Sequence, residues 1–200
     1  KLFKPEGEVA FYCDNPECSA QIKGRLIHFA SRGTMDIEGL GDALIDLFED
    51  KGFITHFSDI YKLKDKREEL VQIERLGEKS IDNLLKSIEK SKSQPFAKVL
   101  FAIGIRYVGS GAAQKITDHF NSIDDIIAAS EEEISGIYEI GPSISKSIKQ
   151  FFSDKKNVKL IEELRKSGLT FVSEKKEIVQ SALTGKTFVL TGTLSSLSRD

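Results

Sequence analysis

The sequence lacks the features of a membrane protein, a secreted protein or a strongly basic nucleic-acid binder. No run approaches the roughly 18 apolar residues of a membrane span, and the opening KLFKPEGE has no apolar signal-peptide core. Because it also has no initiator methionine, we expect a piece of a longer chain. The 29 Lys and Arg against 31 Asp and Glu do not favour binding to nucleic acid by net charge alone. Binding through backbone amides remains compatible with this balance if the acidic residues lie on other faces.

Cysteine is scarce, and both cysteines lie in the string FYCDNPEC at 11–18. Two thiolates separated by a proline turn can bind one Zn²⁺, which suits a reducing compartment better than a disulfide framework. A structural zinc ion needs four ligands, and we expect His28 to be a packed or capping residue. We therefore predict that Cys13 and Cys18 form half of a four-cysteine site whose first pair precedes this sequence. Two incidental thiols are the alternative.

A five-residue pattern recurs four times after the cysteine pair. Each copy reads apolar-x-x-apolar-Gly and is followed by a predicted helix. The copies begin at Ile37, Ile73, Ile105 and Ile137, which gives steps of 36, 32 and 32 residues. A period of this size indicates a repeated supersecondary unit, here two helices joined by a tight glycine turn.

The glycine that ends each copy precedes the first turn of a helix. Amides there have no intrahelical partner and carry the positive end of the helix dipole, so such a turn can hold a phosphate. Only the first copy has another glycine at its third position, where the others have Arg75, Tyr107 and Glu139. We expect phosphate binding by the amides at the turn glycines. These are Gly39, Gly41, Gly77, Gly109 and Gly141.

Four polar side chains in the repeats could add to these contacts. Lys79 and Lys146 lie in first helical turns, where the dipole disfavours a cation, and this conflict suggests an anionic partner. Solvated surface positions explain these lysines equally well. Ser143 lies in the same turn as Lys146. Arg106 lies in the third turn and could bind a phosphate through two hydrogen bonds, or form a salt bridge to a neighbouring repeat.

Apolar periodicity predicts a mainly α fold, with the repeats packed as one domain over 31–168 and no sheet between 40 and 165. We predict a helix over 19–30, a short helix around 29–36 that leads into the first turn, and a charged, solvated surface over 63–70. Residues 169–182 are rich in Lys, Glu and Ser and read as a linker. The string GKTFVLTGTL at 185–194 reads as a strand. The predicted core includes Leu40, Leu44, Leu76, Leu84, Leu100, Val108, Ile116, Ile140 and Ile148.

The four turns resemble tandem helix-hairpin-helix motifs, which bind duplex nucleic acid through phosphate contacts. The string HFASRGTMDIEGLG at 28–41 resembles the junction between the zinc finger and the helix-hairpin-helix domain of bacterial NAD⁺-dependent DNA ligases. FAIGIRYVG at 101–109 resembles the third hairpin of the same family, and the strand at 185–194 resembles the start of its BRCT domain. The resemblance covers essentially the whole chain.

This resemblance implies a partial zinc finger over 1–30, a helix-hairpin-helix domain over 31–168, a linker over 169–182 and a truncated α/β BRCT domain over 183–200. It implies a bacterial cytoplasmic, nucleoid-associated monomer that grips nicked duplex DNA without reading its sequence and that contacts no membrane. It also implies a zinc half-site, with NAD⁺ and Mg²⁺ bound outside this segment.

The chain lacks the Lys-x-Asp-Gly motif of the adenylated lysine, so we assign no catalytic residue and expect no ligase activity from this segment alone. A DNA-binding scaffold without enzymatic activity and the hairpin region of a repair nuclease are the alternatives.

Overall fold

Helices form nearly all of the regular structure in this protein. A computed structural model describes residues 2–4, 7, 9–13, 15 and 18–173, and the structural statements below concern these residues. A two-residue antiparallel pair, β1 (Leu2–Phe3) and β2 (Tyr12–Cys13), precedes the helices. The first six helices are α1 (Ser19–Ala30), α2 (Asp42–Asp50), α3 (Phe57–Ile60), α4 (Arg67–Val71), α5 (Glu78–Ser91) and α6 (Phe96–Ala102), with a 3₁₀ turn over Leu63–Lys66. The remaining helices are α7 (Ser110–His119), α8 (Ile123–Ala128), α9 (Glu131–Ser135), α10 (Pro142–Ser153) and α11 (Lys155–Lys166).

Four helix pairs give the fold its repeated architecture. The pairs α1 with α2, α4 with α5, α6 with α7, and α9 with α10 each pack across one of the predicted glycine turns. We call these turns hairpin 1 (37–41), hairpin 2 (73–77), hairpin 3 (105–109) and hairpin 4 (137–141). All four contribute to one hydrophobic core, so the mainly α fold is confirmed. No helix among the described residues has the length and apolar character that crossing a membrane requires.

The predicted core is largely confirmed. The residues that are buried as predicted are Leu40, Leu84, Leu100, Val108, Ile116, Ile140 and Ile148. Leu44 and Leu76 are only partly buried against that core. On α2 the buried positions are Ile45 and Phe48, and since each residue turns a helix by about 100°, Leu44 lies on the flank of that face.

The predicted short helix around 29–36 is wrong, because α1 ends at Ala30 and turns follow. The hydroxyl of Thr34 lies 2.8 Å from the carbonyl oxygen of Phe29 and 2.9 Å from that of Ser31. A threonine side chain that bonds to backbone carbonyls competes with helix formation, and this buried hydroxyl stabilises the turn instead.

The prediction of a solvated surface over 63–70 is wrong at both of its ends. Leu63 and Leu70 have no exposed surface, although the charged residues between them include exposed side chains. Leu63 lies in the 3₁₀ turn and Leu70 in α4, and the charged residues between them conceal both apolar positions in the sequence.

The C-terminal part of the described chain returns to the helices. Leu169 and Phe171, at the start of the segment that reads as a linker, are buried, and the amide of Ile123 donates to the carbonyl of Phe171 at 3.0 Å. Residues 174–182 of that segment and the strand at 185–194 lie outside the described residues.

Candidate nucleic-acid interface

The four hairpins share one backbone conformation despite their different sequences. The third residue of each has a positive φ, with 88° at Gly39, 71° at Arg75, 66° at Tyr107 and 64° at Glu139. In each hairpin the fourth residue's amide donates to the first residue's carbonyl at 2.9–3.2 Å, which closes a β-turn. A positive φ at the third position is the requirement of a type II turn. For a residue other than glycine it costs about 1 kcal/mol or more.

The glycine that ends each hairpin is the N-cap of the following helix. These glycines, at 41, 77, 109 and 141, have φ between −79° and −89° and ψ between 161° and 178°, which any residue can adopt. A β-carbon built on any of them would have no atom within 4 Å. A glycine N-cap gives the first-turn amides of these four helices no side-chain partner, although glycine is itself among the residues favoured at an N-cap, with Ser, Thr, Asp and Asn. Neither the backbone nor the space within the described chain therefore requires glycine at these four positions.

A missing side chain at an N-cap leaves the first-turn amides open to an external anion. Hairpins 3 and 4 have no acidic residue in the following first turn, whereas α2 begins with Asp42 and α5 with Glu78. Hairpin 4 offers one amide fewer, since Pro142 has no N–H. Hairpin 3 is therefore the best anion site by these criteria.

Two clefts border hairpin 1. The first, of about 490 Å³, is formed by residues 36–41 together with Ala30, Ser31 and Arg32. The second, of about 460 Å³, lies between hairpin 1 and α5, where Lys86 and Lys90 line it. The amide of Glu38 donates to Ser87 Oγ at 2.7 Å and fixes this hairpin on α5. The sequence indicated none of Arg32, Lys86 and Lys90 as site residues.

The predicted polar site residues stand at the helix starts. Lys79 and Ser143 are exposed in the first turns of α5 and α10, but Lys146 is the fifth residue of α10 and is exposed beyond the first turn in which we expected it. Arg106 is exposed as well, and its guanidinium carbon lies 4.9 Å from the ring centre of Tyr12 and 4.8 Å from that of Tyr107. The two rings restrain the Arg106 side chain and join the cysteine segment to hairpin 3.

The two cysteines are half-buried and close to each other. Cys18 is the N-cap of α1, and a hydrogen bond from the backbone N–H of Gln21 lowers the pKa of its thiol, as does a hydrogen bond with Cys13. These effects favour the thiolate, which is the form that binds zinc. No group of three or more His, Cys, Asp or Glu side chains suited to a metal occurs within 2–4, 7, 9–13, 15 and 18–173. Among the described residues, Cys13 and Cys18 are therefore suited to be two of the four ligands of a zinc site.

Comparison with known proteins agrees with this geometry. The helix-hairpin-helix motif model matches residues 98–161, which contain hairpins 3 and 4. The fold and the recurring turns therefore define a helix-hairpin-helix protein.

Curated relatives define the family more narrowly. A DNA ligase of Acetivibrio thermocellus is 47% identical over 199 residues, which are 99% of this chain and 30% of that protein. DNA ligases of Thermomicrobium roseum and Carboxydothermus hydrogenoformans are 46% and 44% identical, over 97% and 100% of this chain and 28% and 30% of their own lengths. The chain belongs, as a segment, to the family of the bacterial DNA ligases. It spans under a third of the length of these relatives.

Proposed function

We propose that this chain binds duplex DNA around a nick without reading its sequence, as part of an NAD⁺-dependent DNA ligase. The observation that carries the proposal is the glycine at four equivalent N-caps, where nothing in the described structure requires it. A phosphate that approaches first-turn amides explains the missing side chains, because a β-carbon would stand between the phosphate and the amides.

The hairpins would bind the DNA backbone by donating amide hydrogen bonds to phosphate oxygens. Such contacts position a protein on a duplex but carry no base information, so the binding would be independent of sequence. Arg106 would add a guanidinium at hairpin 3, and Lys79, Ser143 and Lys146 would add donors at the starts of α5 and α10. The clefts beside hairpin 1 would place Arg32, Lys86 and Lys90 along the same backbone.

The chemistry of nick sealing would be carried out by residues outside this chain. In the parent ligase, NAD⁺ supplies the adenylyl group and Mg²⁺ assists its transfer, and we assign no described residue to these steps. This segment would hold the 5′-phosphate and 3′-hydroxyl strands in place and would be inactive alone. Cys13 and Cys18 would supply two of the four thiolates of a structural zinc site. We further propose a monomer in the bacterial cytoplasm, associated with the nucleoid.

A DNA-binding scaffold without ligase activity, or the hairpin region of a repair nuclease, would use the same hairpins. The similarity of the whole chain to DNA ligases favours the ligase over both alternatives.

Fluorescence anisotropy of the 200-residue chain with labelled DNA tests the proposal. We expect nicked duplexes of unrelated sequence to bind equally well and single strands to bind less tightly. We also expect affinity to fall with salt along a shallow slope, since few lysines and arginines displace counterions. Strong dependence on sequence, or no binding to duplex DNA at low salt, would contradict the proposal.

A further inference from the structure

The third residue of each hairpin has the same left-handed backbone but not the same side chain. Hairpin 1 uses Gly39, which adopts this conformation without strain, and so shows that glycine is compatible with the turn. Hairpins 2, 3 and 4 use Arg75, Tyr107 and Glu139, whose β-carbons make the same conformation unfavourable. A side chain kept at a strained position calls for a compensating contact.

Two of the three strained residues have such a contact inside the protein. The Tyr107 ring centre lies 4.8 Å from the guanidinium carbon of Arg106. Glu139 forms an ion pair with Lys115, whose ammonium nitrogen also lies 5.3 Å from the ring centre of Tyr138. Glu139 therefore connects hairpin 4 to α7, and Tyr107 packs on the neighbouring Arg106, whose guanidinium also contacts Tyr12 in β2.

Arg75 differs from these two residues. Its side chain is 90% exposed, and its one ion-pair partner within 4 Å among the described residues is Glu74. That pair has an N–O distance of 3.9 Å, and the Glu74 side chain is also 90% exposed. An ion pair so open to water adds little to stability. Within the described part of the chain, Arg75 therefore gains almost nothing that offsets its strain.

We infer that Arg75 binds a phosphodiester group of the DNA backbone beside the first-turn amides of α5. The inference rests on the proposed function and names a residue of that same surface. Hairpin 2 carries Glu74 and is followed by Glu78, and both carboxylates would repel a phosphate. Arg75 stands between them in sequence, two residues before the N-cap glycine. Its guanidinium can offset this repulsion and bind a phosphate through two parallel hydrogen bonds.

Three variants of the 200-residue chain separate the strain from the charge. Arg75→Gly removes both, Arg75→Ala removes the charge and keeps a β-carbon, and Lys159→Ala removes one exposed charge from α11, away from the hairpins. Thermal melting reports stability, and anisotropy with a fluorescein-labelled nicked duplex at several salt concentrations reports binding.

We expect Arg75→Gly to melt about 2–4 °C above Arg75→Ala, because glycine relieves the strain. Both Arg75 variants should bind DNA about tenfold more weakly than the parent, with a salt slope shallower by about one unit. Lys159→Ala should bind like the parent. Misfolding cannot explain an Arg75→Gly variant that is more stable than Arg75→Ala and yet binds DNA more weakly than the parent.

Parent-like binding by both Arg75 variants, while the parent binds duplex DNA, would overturn this inference and leave the proposed function intact. Equal melting temperatures for the Gly and Ala variants would overturn the strain on which it depends. A parent chain that does not bind duplex DNA would overturn the proposed function and this inference together.

Discussion

Replacing the N-cap glycine of hairpin 3 separates DNA binding from folding. Gly109 has φ −79° and ψ 175°, and a β-carbon there would meet no atom within 4 Å. The variant Gly109→Val should therefore fold like the parent. It would place three carbon atoms in front of the first-turn amides of α7, where we propose that a phosphate binds.

The structure predicts effects of very different size on stability and affinity. Valine is a poorer N-cap than glycine, but it also restricts the unfolded chain, and each effect is about 0.5–1 kcal/mol with opposite sign. The melting temperature should therefore change by less than about 3 °C. Loss of a hydrogen bond from an amide to a charged phosphate oxygen costs about 1.5–3 kcal/mol. The affinity should fall about ten- to a hundredfold, which is more than the loss of any single surface lysine.

Gly24 provides a matched control within the same chain. It lies in α1, outside the hairpins, and a β-carbon there would also meet no atom within 4 Å. In anisotropy with nicked duplex, Gly24→Ala should bind like the parent. Gly109→Ala should bind more weakly. If Gly109→Val melts normally and binds like the parent, hairpin 3 is not part of the interface. If matching changes at Gly41, Gly77 and Gly141 are also silent, the hairpins are structural and the DNA-binding reasoning fails.

Three further predictions concern stability and metal binding. Burial raises the pKa of Tyr61 from 10.0 to about 12. The contribution of the buried, neutral phenol to stability is therefore complete below pH 10 and is lost as pH rises through 12. Urea denaturation should show a loss of up to about 2.5 kcal/mol over this range, and Tyr61→Phe should lack it. In the same assay, Ile45→Ala should lower the free energy of unfolding by about 2–5 kcal/mol and Leu44→Ala by less, since only Ile45 of the two has no exposed surface. Equal decreases would contradict the assigned buried face of α2. Elemental analysis should find little zinc on this chain, where Cys13 and Cys18 are the expected ligands, and one zinc ion per chain after an upstream extension that adds two cysteines. The reason is that the loss of two ligands removes most of a zinc-binding free energy of about 10 kcal/mol. Tightly bound zinc in the unextended monomer would refute this prediction.

The repeated turns could be predicted from the sequence because their signal is local. A glycine at a fixed step of 32 or 36 residues, followed by apolar periodicity, needs no knowledge of distant contacts. The capping boxes that begin α8 and α9 at Ser122 and Ser130 have an equally local basis, since each serine is followed three residues later by an acidic residue. The packed state of His28 is also confirmed, although its partner, the carbonyl of Phe101 at 2.9 Å, lies 73 residues away.

The errors arise where side chains or distant segments decide the structure. Thr34 ends α1 through hydroxyl bonds that a helical pattern does not show. The contact of Arg106 with Tyr12 joins residues that are far apart in sequence, so no local pattern indicates it. The strain at Arg75 is invisible without the backbone angle, since the substitution of the turn glycine reads simply as a degenerate copy.

The most direct test of phosphate binding by the hairpins is the response of backbone amides to DNA. Two-dimensional ¹H–¹⁵N NMR of this 22.3 kDa chain, titrated with nicked duplex, reports each amide separately. The largest shifts should fall at the helix starts, on residues 42–43, 78–79, 110–111 and Ser143, with little change along α11. Unshifted amides at all four helix starts, while the chain binds the duplex elsewhere, would contradict the account.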